Sequence, residues 1–240
     1  MTRADAIADV QADAPALALH VAEWLTAKAE AKEGRFALCL SGGSTPKVLY
    51  GLLAAEPFKS RFPWSRTHLF FGDERFVPYG HPDSNYRMVE ETLLNHVPVP
   101  AAQVHPFPTD GTPEDAARRY ASVLQEFYGA GQLEPARPLF DVTLLGLGED
   151  GHTASLFPGI DALNERSAWT AAVIGAKPEP RLTLTYPVLE SSATVAFLVA
   201  GRGKHEILMR AMAGDAGLPA ANIKPVGELV WFMDRAAEGS

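Results

Sequence analysis

The chain has 240 residues, of which 47% are hydrophobic, and this composition is typical of a globular protein rather than a disordered or fibrous one. With 29 acidic and 21 basic residues the formal net charge is −8, which counts against a nucleic-acid or anionic-membrane partner because both require a basic surface. Cys39 is the only cysteine, so an internal disulfide is excluded and a reducing compartment is expected.

The N-terminal segment, residues 1–16, does not resemble a targeting signal, because acidic residues stand where a signal peptide has its apolar core. The longest apolar runs, such as residues 195–200, are far shorter than the roughly 20 residues that cross a bilayer. We therefore expect a cytoplasmic protein without a membrane-spanning segment. At this length we expect a single domain over residues 1–240.

The first half of the chain alternates predicted helices and strands. Apolar residues recur at helical spacing from Ala14 to Lys32, which predicts a helix. The apolar run FALCLS at 36–41 is the first predicted strand, and Pro46 marks the expected start of the next helix. HLFFG at 68–72 predicts a second strand, and NYRMVEETLLNHV at 85–97 predicts a helix.

The second half continues the alternation. A helix is predicted from Pro113 to Tyr128 with Thr112 as its N-cap. Strands are predicted at 140–148, 194–201 and 229–234, with a helix from Lys204 to Met212, and the alternating segment from Trp169 to Leu184 predicts a small antiparallel addition. Together these elements predict an α/β protein with a mainly parallel sheet and helices on both faces, and such sheets bind ligands at the carboxyl ends of their strands.

Polar clusters follow three of the predicted strands, and the first is the turn from Ser41 to Pro46. Gly42 and Gly43 allow close approach to a ligand, and the N-terminus of the next helix favours a phosphate. The hydroxyls of Ser44 and Thr45 add further donors. The turn matches neither the GxGxxG nor the GxxxxGKS pattern, which disfavours a dinucleotide or a nucleoside triphosphate. An ordinary tight turn with a Ser or Thr helix cap is the alternative interpretation.

The second cluster is Gly72–Arg75, directly after an apolar strand. Asp73 and Arg75 face the same way in an extended chain, so they could orient a hydroxylated or carbonyl-bearing ligand. A solvated strand end with a local ion pair is the alternative. The loop that follows carries further polar side chains of undetermined role, namely His81, Asp83, Ser84 and Asn85.

The third cluster is the glycine-rich segment Gly146–Gly159, in which Asp150 and His152 are two residues apart. Histidine is the side chain best suited to proton transfer near neutral pH, and a neighbouring carboxylate fixes its tautomer. A histidine with a purely structural role is the alternative. Lys204 and Arg181 could each supply positive charge for an anionic ligand, or could be surface residues.

Other chemistries are disfavoured by the sequence. No clustered Cys/His spacing predicts a metal site, and no GxSxG segment predicts a nucleophilic serine. Cys39 lies within an apolar strand, which indicates a buried structural thiol.

The three clusters together resemble the 6-phosphogluconolactonase family over nearly the whole chain. The similarity rests on three long motifs, which are LSGGSTPKVLYGLLA at 40–54, FFGDERFVPYGHPDSNYRMVEETLL at 70–94 and LLGLGEDGHTASLFPG at 144–159. RLTLT at 181–185, VAGRGK at 199–204 and VWFMD at 230–234 agree with the family in order and spacing.

The resemblance implies hydrolysis of 6-phospho-D-glucono-1,5-lactone to 6-phosphogluconate, in the oxidative pentose phosphate pathway, without a metal or organic cofactor. It also implies the fold of glucosamine-6-phosphate deaminases and ribose-5-phosphate isomerases. The partner would be a small sugar-phosphate lactone, and the chain a monomer or small homo-oligomer.

The same resemblance implies roles for individual residues. His152 would be the general base that activates water, Asp150 would support it, and Arg75 would hold the lactone end with Asp73 close by. The 6-phosphate would lie on the turn formed by Gly42, Gly43, Ser44 and Thr45, with Arg181 and Lys204 adding positive charge.

Two other functions remain as alternatives. An amino-sugar phosphate deaminase/isomerase has a similar DGH segment but carries Glu five residues beyond the His, where this chain has Phe157. A non-catalytic sugar-phosphate sensor on the same fold usually carries a DNA-binding segment, whereas only about 35 residues precede the first predicted strand.

Overall fold

The computed structural model describes residues 6–240, and within them ten strands form two sheets. The strands are β1 (Ile7–Gln11), β2 (Phe36–Leu40), β3 (Thr67–Phe71), β4 (Asp73–Arg75), β5 (Val104–His105), β6 (Phe140–Leu145), β7 (Thr170–Val173), β8 (Arg181–Leu184), β9 (Ser192–Val199) and β10 (Glu228–Asp234).

The α-helices of the same residues are α1 (Ala14–Ala31), α2 (Ser44–Leu53), α3 (Phe58–Arg61), α4 (Asn85–Val89), α5 (Pro113–Tyr128), α6 (Tyr186–Glu190), α7 (His205–Ala213) and α8 (Arg235–Glu238). Thr112 accepts a hydrogen bond from the backbone N–H of Asp115, so it caps α5 as the sequence predicts. Among residues 6–240 we find no helix whose length and apolarity would let it cross a membrane.

The larger sheet has the strand order β1-β10-β9-β6-β2-β3-β5, and every neighbouring pair is parallel. From β2 the chain moves outward through β3 to β5, whereas from β6 it moves the opposite way through β9 to β10. The order therefore reverses between β2 and β6, and loops leaving the carboxyl ends of these two strands separate to form a crevice. This crevice is the expected place for a ligand.

The smaller sheet is antiparallel, with the order β4-β8-β7, and confirms the addition predicted between Trp169 and Leu184. Gly72 connects the two sheets: its N–H donates to the carbonyl of Leu40, and its own carbonyl accepts from the N–H of Leu184, each over 2.9 Å. Residues of β4 consequently begin one residue beyond the carboxyl end of β3 and border the crevice.

Burial explains why the central strands are predictable. All five residues of β2 are buried, which is typical of a parallel strand covered on both faces. A continuous cluster of buried apolar side chains includes members of both sheets, such as Phe70 and Phe197 in the larger and Leu182 in the smaller. The two sheets therefore share one apolar core, while the single domain over residues 1–240 stays a prediction.

The prediction that FALCLS is the first strand is wrong, because β1 precedes it and pairs in parallel with β10. Strand β1 lies at the end of the larger sheet, and its residues are exposed or half-buried. Its sequence, IADVQ, consequently lacks the apolar run by which a buried strand is recognised.

The helix predicted over 85–97 is α-helical only from Asn85 to Val89 and continues as a π-helical turn, Glu90–Leu94. The side chain of Thr92 donates to the backbone carbonyl of Met88 over 2.6 Å. A hydroxyl bonded to the carbonyl four residues earlier competes with the helical ladder, and this accounts for the local widening.

The histidine pair His68 and His105 makes stability sensitive to acid. Burial, and secondarily His68, lowers the pKa of His105 to about 4, against a reference value near 6.5. Between these values the unfolded chain binds more protons than the folded chain, so stability is full above pH 6.5 and falls as the pH drops towards 4.

We therefore expect the free energy of unfolding to fall by on the order of 1 kcal/mol from His105 between pH 7 and 5, after allowance for partial solvation. Denaturant titrations of wild type and His105→Phe at both pH values test this. The variant should lose less stability than wild type, and an equal loss in both would contradict the assignment.

Candidate active site

A cavity of about 300 Å³ lies in the crevice at the carboxyl ends of the parallel strands. Its wall comes from the segments that follow β2, β3, β6 and β9. The residues that line it include Ser41, Gly42, Gly43, Ser44, Thr45, Asp73, Arg75, Asn85, Gly148, His152 and Lys204. All the predicted site residues except Asp150 and Arg181 are therefore brought to a single cavity.

The turn after β2 is held open towards the cavity by its own helix. The hydroxyl of Tyr50, within α2, donates to the carbonyl of Ser41 over 2.8 Å and accepts from its N–H over 3.0 Å. Gly43 precedes α2 with φ of 107°, a backbone conformation that favours glycine, and no side chain caps the helix. The first N–H groups of α2 consequently remain available to an anion.

Lys204 provides positive charge in the same cavity. It ends the 3₁₀ turn Arg202–Lys204 that follows β9, and within residues 6–240 its ammonium group has no acidic partner. A lysine with no intramolecular ion pair beside a helix N-terminus favours a phosphate.

Strand β4 presents Asp73 and Arg75 to the same cavity, as the period of two predicts. The carboxylate of Asp73 accepts a hydrogen bond from Ser155 Oγ over 2.7 Å. The guanidinium of Arg75 donates to the carbonyl of Asp83 over 2.5 Å, and its other donors are available to a ligand.

The imidazole of His152 is fixed by its neighbours. Its Nδ1 lies 2.5 Å from Oδ1 of Asp150, so that the Nδ1–H donates to the carboxylate and Nε2 keeps its lone pair. The ring of Phe157 packs against the imidazole with 4.6 Å between centroids. Within the described residues Nε2 has no hydrogen-bond partner, which leaves it available to water or substrate.

Asp150 does not line the cavity but supports His152 from outside it. Burial acts to raise the pKa of Asp150, but the hydrogen bonds from the ring and the backbone N–H of His152 outweigh it, and the pKa lies below its ordinary value. The carboxylate is therefore ionised at neutral pH and can stabilise an imidazolium.

The smaller sheet sets the position of Arg181, which the family resemblance assigns to the phosphate-binding turn. In the antiparallel pair β4–β8 it stands directly opposite Arg75, and its guanidinium does not line the cavity. Its side chain is 12% exposed, and Nη1 is buried without a partner in the described residues. Burial, and secondarily Arg75, lowers the pKa of Arg181. Residues that are directly paired across a sheet project from the same face, so the charge of Arg181 lies beside that of Arg75.

Two glycines make room for functional side chains. A Cβ at Gly42 would lie 2.1 Å from Oδ1 of Asn85, and a Cβ at Gly148 would lie 2.0 Å from Nδ1 of His152. Contacts this short do not occur, so both side chains can lie where they do only because glycine is present. Neither Asn85 nor Gly148 was predicted to be a site residue. The approach of Asn85 to Gly42 joins segments that are distant in sequence, and the approach of Gly148 to His152 depends on how their loop folds.

The chain is similar to known proteins over most of its length. Residues 9–231 match the family model described as glucosamine-6-phosphate isomerases/6-phosphogluconolactonase. The chain belongs to this family. It is 43% identical over 211 residues to a 6-phosphogluconolactonase from Nostoc, covering 86% of this chain and 85% of the relative.

Solved structures of the family show the same architecture. The crystal structure of 6-phosphogluconolactonase from Thermotoga maritima has a TM-score of 0.82 at 29% identity, covering 95% of this chain and 99% of that one. A monomeric glucosamine-6-phosphate deaminase has a TM-score of 0.80 at 19% identity, covering 97% and 99%, and shows the shared fold alone. The predicted relationship to the deaminase fold is confirmed.

Throughout residues 6–240, His, Cys, Asp and Glu side chains form no group of three or more that could hold a metal ion.

Gly148 should be essential for the orientation of His152. In Gly148→Ala the added Cβ must displace the imidazole from Asp150, but the ring can swing away, so we expect little loss of stability. We expect kcat on 6-phospho-D-glucono-1,5-lactone to fall about 100-fold, because misplacement of a catalytic group by about 1 Å has costs of this size.

Thermal melting and steady-state turnover test this prediction, with Gly51→Ala as the control. A Cβ at Gly51 would meet nothing within 4 Å. Turnover by Gly148→Ala equal to that of Gly51→Ala would show that the close approach has no catalytic consequence.

Proposed function

We propose that this chain hydrolyses 6-phospho-D-glucono-1,5-lactone to 6-phospho-D-gluconate. The observation that carries the proposal is the presence, in a single cavity, of an oriented imidazole and an anion-binding turn. Family membership and the names of the relatives support the same activity. The activity is that of a 6-phosphogluconolactonase, a lactone hydrolase.

The substrate's two ends have different requirements. The phosphate carries a charge of about −1.5 to −2 at neutral pH and would bind the N–H groups of Gly42–Thr45 together with Lys204. Local positive groups in a cleft can hold it despite the net charge of −8 on the chain. The lactone carbonyl would then lie between His152 and the Asp73–Arg75 pair. Fixing both ends converts the attack of water into a reaction of oriented groups.

The chemistry follows from this arrangement. Nε2 of His152 takes a proton from water as its oxygen attacks the lactone carbon, and Asp150 stabilises the resulting imidazolium. The guanidinium of Arg75 stabilises the oxyanion. When the tetrahedral intermediate collapses, the bond from the carbonyl carbon to the ring oxygen breaks, and His152 returns the proton to the leaving hydroxyl. A lactone is an activated ester, so no covalent nucleophile is needed.

The deaminase alternative is disfavoured by a contact at the site. Phe157 stands where the deaminase pattern has Glu, and its buried ring packs against His152. An aromatic ring cannot transfer the proton that ring opening of an amino sugar requires.

The cellular setting is also a proposal. We infer that the chain acts in the cytoplasm as a monomer or small homo-oligomer, with the lactone as its small-molecule partner and no nucleic acid. The acidic composition and the buried state of Cys39 support this setting.

His152→Ala is the decisive variant. We expect turnover to fall 10²- to 10⁴-fold, because a general base contributes about that factor. The lactone is generated freshly from glucose 6-phosphate and followed by proton release in a stopped-flow instrument, with spontaneous hydrolysis subtracted. Loss of activity with binding of 6-phosphogluconate retained would identify the base, whereas wild-type turnover by the variant would exclude His152 from this role.

Lys204 and Arg181 should differ in their kinetic effects. Lys204→Ala removes a charge at the phosphate end and should raise KM about 10-fold or more with little change in kcat. Arg181→Ala removes a charge beside Arg75 and should mainly lower kcat. Steady-state kinetics of both variants test this. A rise in KM alone for Arg181→Ala would instead place Arg181 at the phosphate, as the sequence analysis expected.

A further inference from the structure

Glu74 is a buried carboxylate that takes no part in the chemistry above. It lies between Asp73 and Arg75 in β4 and is 1% exposed. Because side chains alternate along a strand, Glu74 is directed away from the cavity that its two neighbours line. A buried carboxylate is costly unless hydrogen bonds compensate it, so its partners indicate why it is present.

Each oxygen of Glu74 accepts two hydrogen bonds. Oε1 accepts from the backbone N–H groups of Arg75 and Asn85, both over 2.7 Å. Oε2 accepts from the backbone N–H of Tyr86 over 2.7 Å and from the hydroxyl of Ser84 over 3.1 Å. Burial nevertheless raises the pKa of Glu74 above its ordinary value, with the backbone N–H groups acting in the opposite direction.

These bonds hold the start of α4 against β4, and Asn85 extends the connection into the cavity. The Nδ2 of Asn85 donates to the carbonyl of Asp73 over 3.0 Å and to its carboxylate over 3.3 Å. The amide oxygen of Asn85 lies against the backbone of Gly42. A continuous path of close contacts therefore leads from Glu74 through Asn85 to Asp73 and to Gly42, which both line the cavity.

A second path runs through Arg75. Its backbone N–H is bonded to Glu74, and its guanidinium donates to the carbonyl of Asp83, next to the Ser84 that also bonds Glu74. The loop 76–83 thus leaves β4 and returns to it, and the same carboxylate fixes the residues at both ends of the loop.

We propose that Glu74 is a positioning residue for lactone hydrolysis, which sets Asp73, Arg75 and Asn85 relative to the Gly42–Thr45 turn. This inference rests on the proposed function. Glutamine has the same shape but only one accepting oxygen, so in Glu74→Gln an amide NH₂ faces N–H or O–H donors and part of the arrangement is lost.

In Glu74→Gln we expect kcat to fall at least 10-fold, because a displacement of catalytic groups by about 1 Å is costly. We expect KM, and the dissociation constant of 6-phosphogluconate measured by calorimetry, to change less than threefold. The phosphate-binding groups follow β2 and β9 rather than β4, so binding should persist when the lactone end moves.

Glu190→Gln is the matched control. Glu190 accepts a backbone hydrogen bond from Lys224 over 2.9 Å, and burial raises its pKa, but it does not line the cavity. We expect this variant to lose thermal stability while kcat stays within twofold of wild type. Glu190 is half-buried, so the comparison separates loss of a partly buried, hydrogen-bonded carboxylate from loss of positioning.

Wild-type kcat in folded Glu74→Gln, or an equal loss of kcat in Glu190→Gln, would overturn the positioning role. If Glu74→Gln fails to fold, Ser84→Ala removes one hydrogen bond to the same carboxylate, together with the N-cap bond that Ser84 accepts from the N–H of Arg87. It should lower kcat about threefold, and an unchanged kcat would again overturn the positioning role. An inactive wild type would instead refute the proposed function, and the positioning role with it.

Discussion

The arrangement of the rest of the molecule depends on the pairing of β2 with β6. It consists of two registered residue pairs, Leu38 with Val142 and Cys39 with Thr143, all four of them buried. To one side lie β3 and β5, and to the other β9, β10 and β1. The strands are parallel, and the chain departs in opposite directions from this pair of strands. The loops that follow β2 and β6 therefore diverge, and space for a ligand arises between them.

This constraint also determines which loop contributes which functional group to the cavity. The loop after β2 contributes N–H groups at a helix start, and the loop after β6 contributes an imidazole supported by Asp150. Gly72 then diverts the chain from the larger sheet into the smaller one, so that Asp73 and Arg75 line the same cavity as the other two groups. Three loops that are distant in sequence therefore supply the groups to which we assign anion binding, proton transfer and charge stabilisation.

Much of this could be predicted from sequence because the central strands are short, fully buried apolar runs, each followed abruptly by polar residues. The prediction failed at β1, where an end strand is half-exposed and carries no such run. It was also limited at Arg181, because the antiparallel register that sets this residue opposite Arg75 depends on how β4 and β8 pair, which no local pattern specifies. Asn85 was seen only as part of a polar loop, since its contact with Gly42 exists only in the folded chain.

The close approaches at Gly42 and Gly148 also restrict how the sequence can change over time. Any larger residue at position 42 is incompatible with the present place of Asn85, and any larger residue at position 148 with that of His152. Each glycine is thus linked to one partner, and a larger residue in its place becomes acceptable only together with a change in that partner. Because His152 is the proposed general base, Gly148 should stay invariant among active homologues, whereas a larger residue at position 42 should occur only together with a replacement of Asn85.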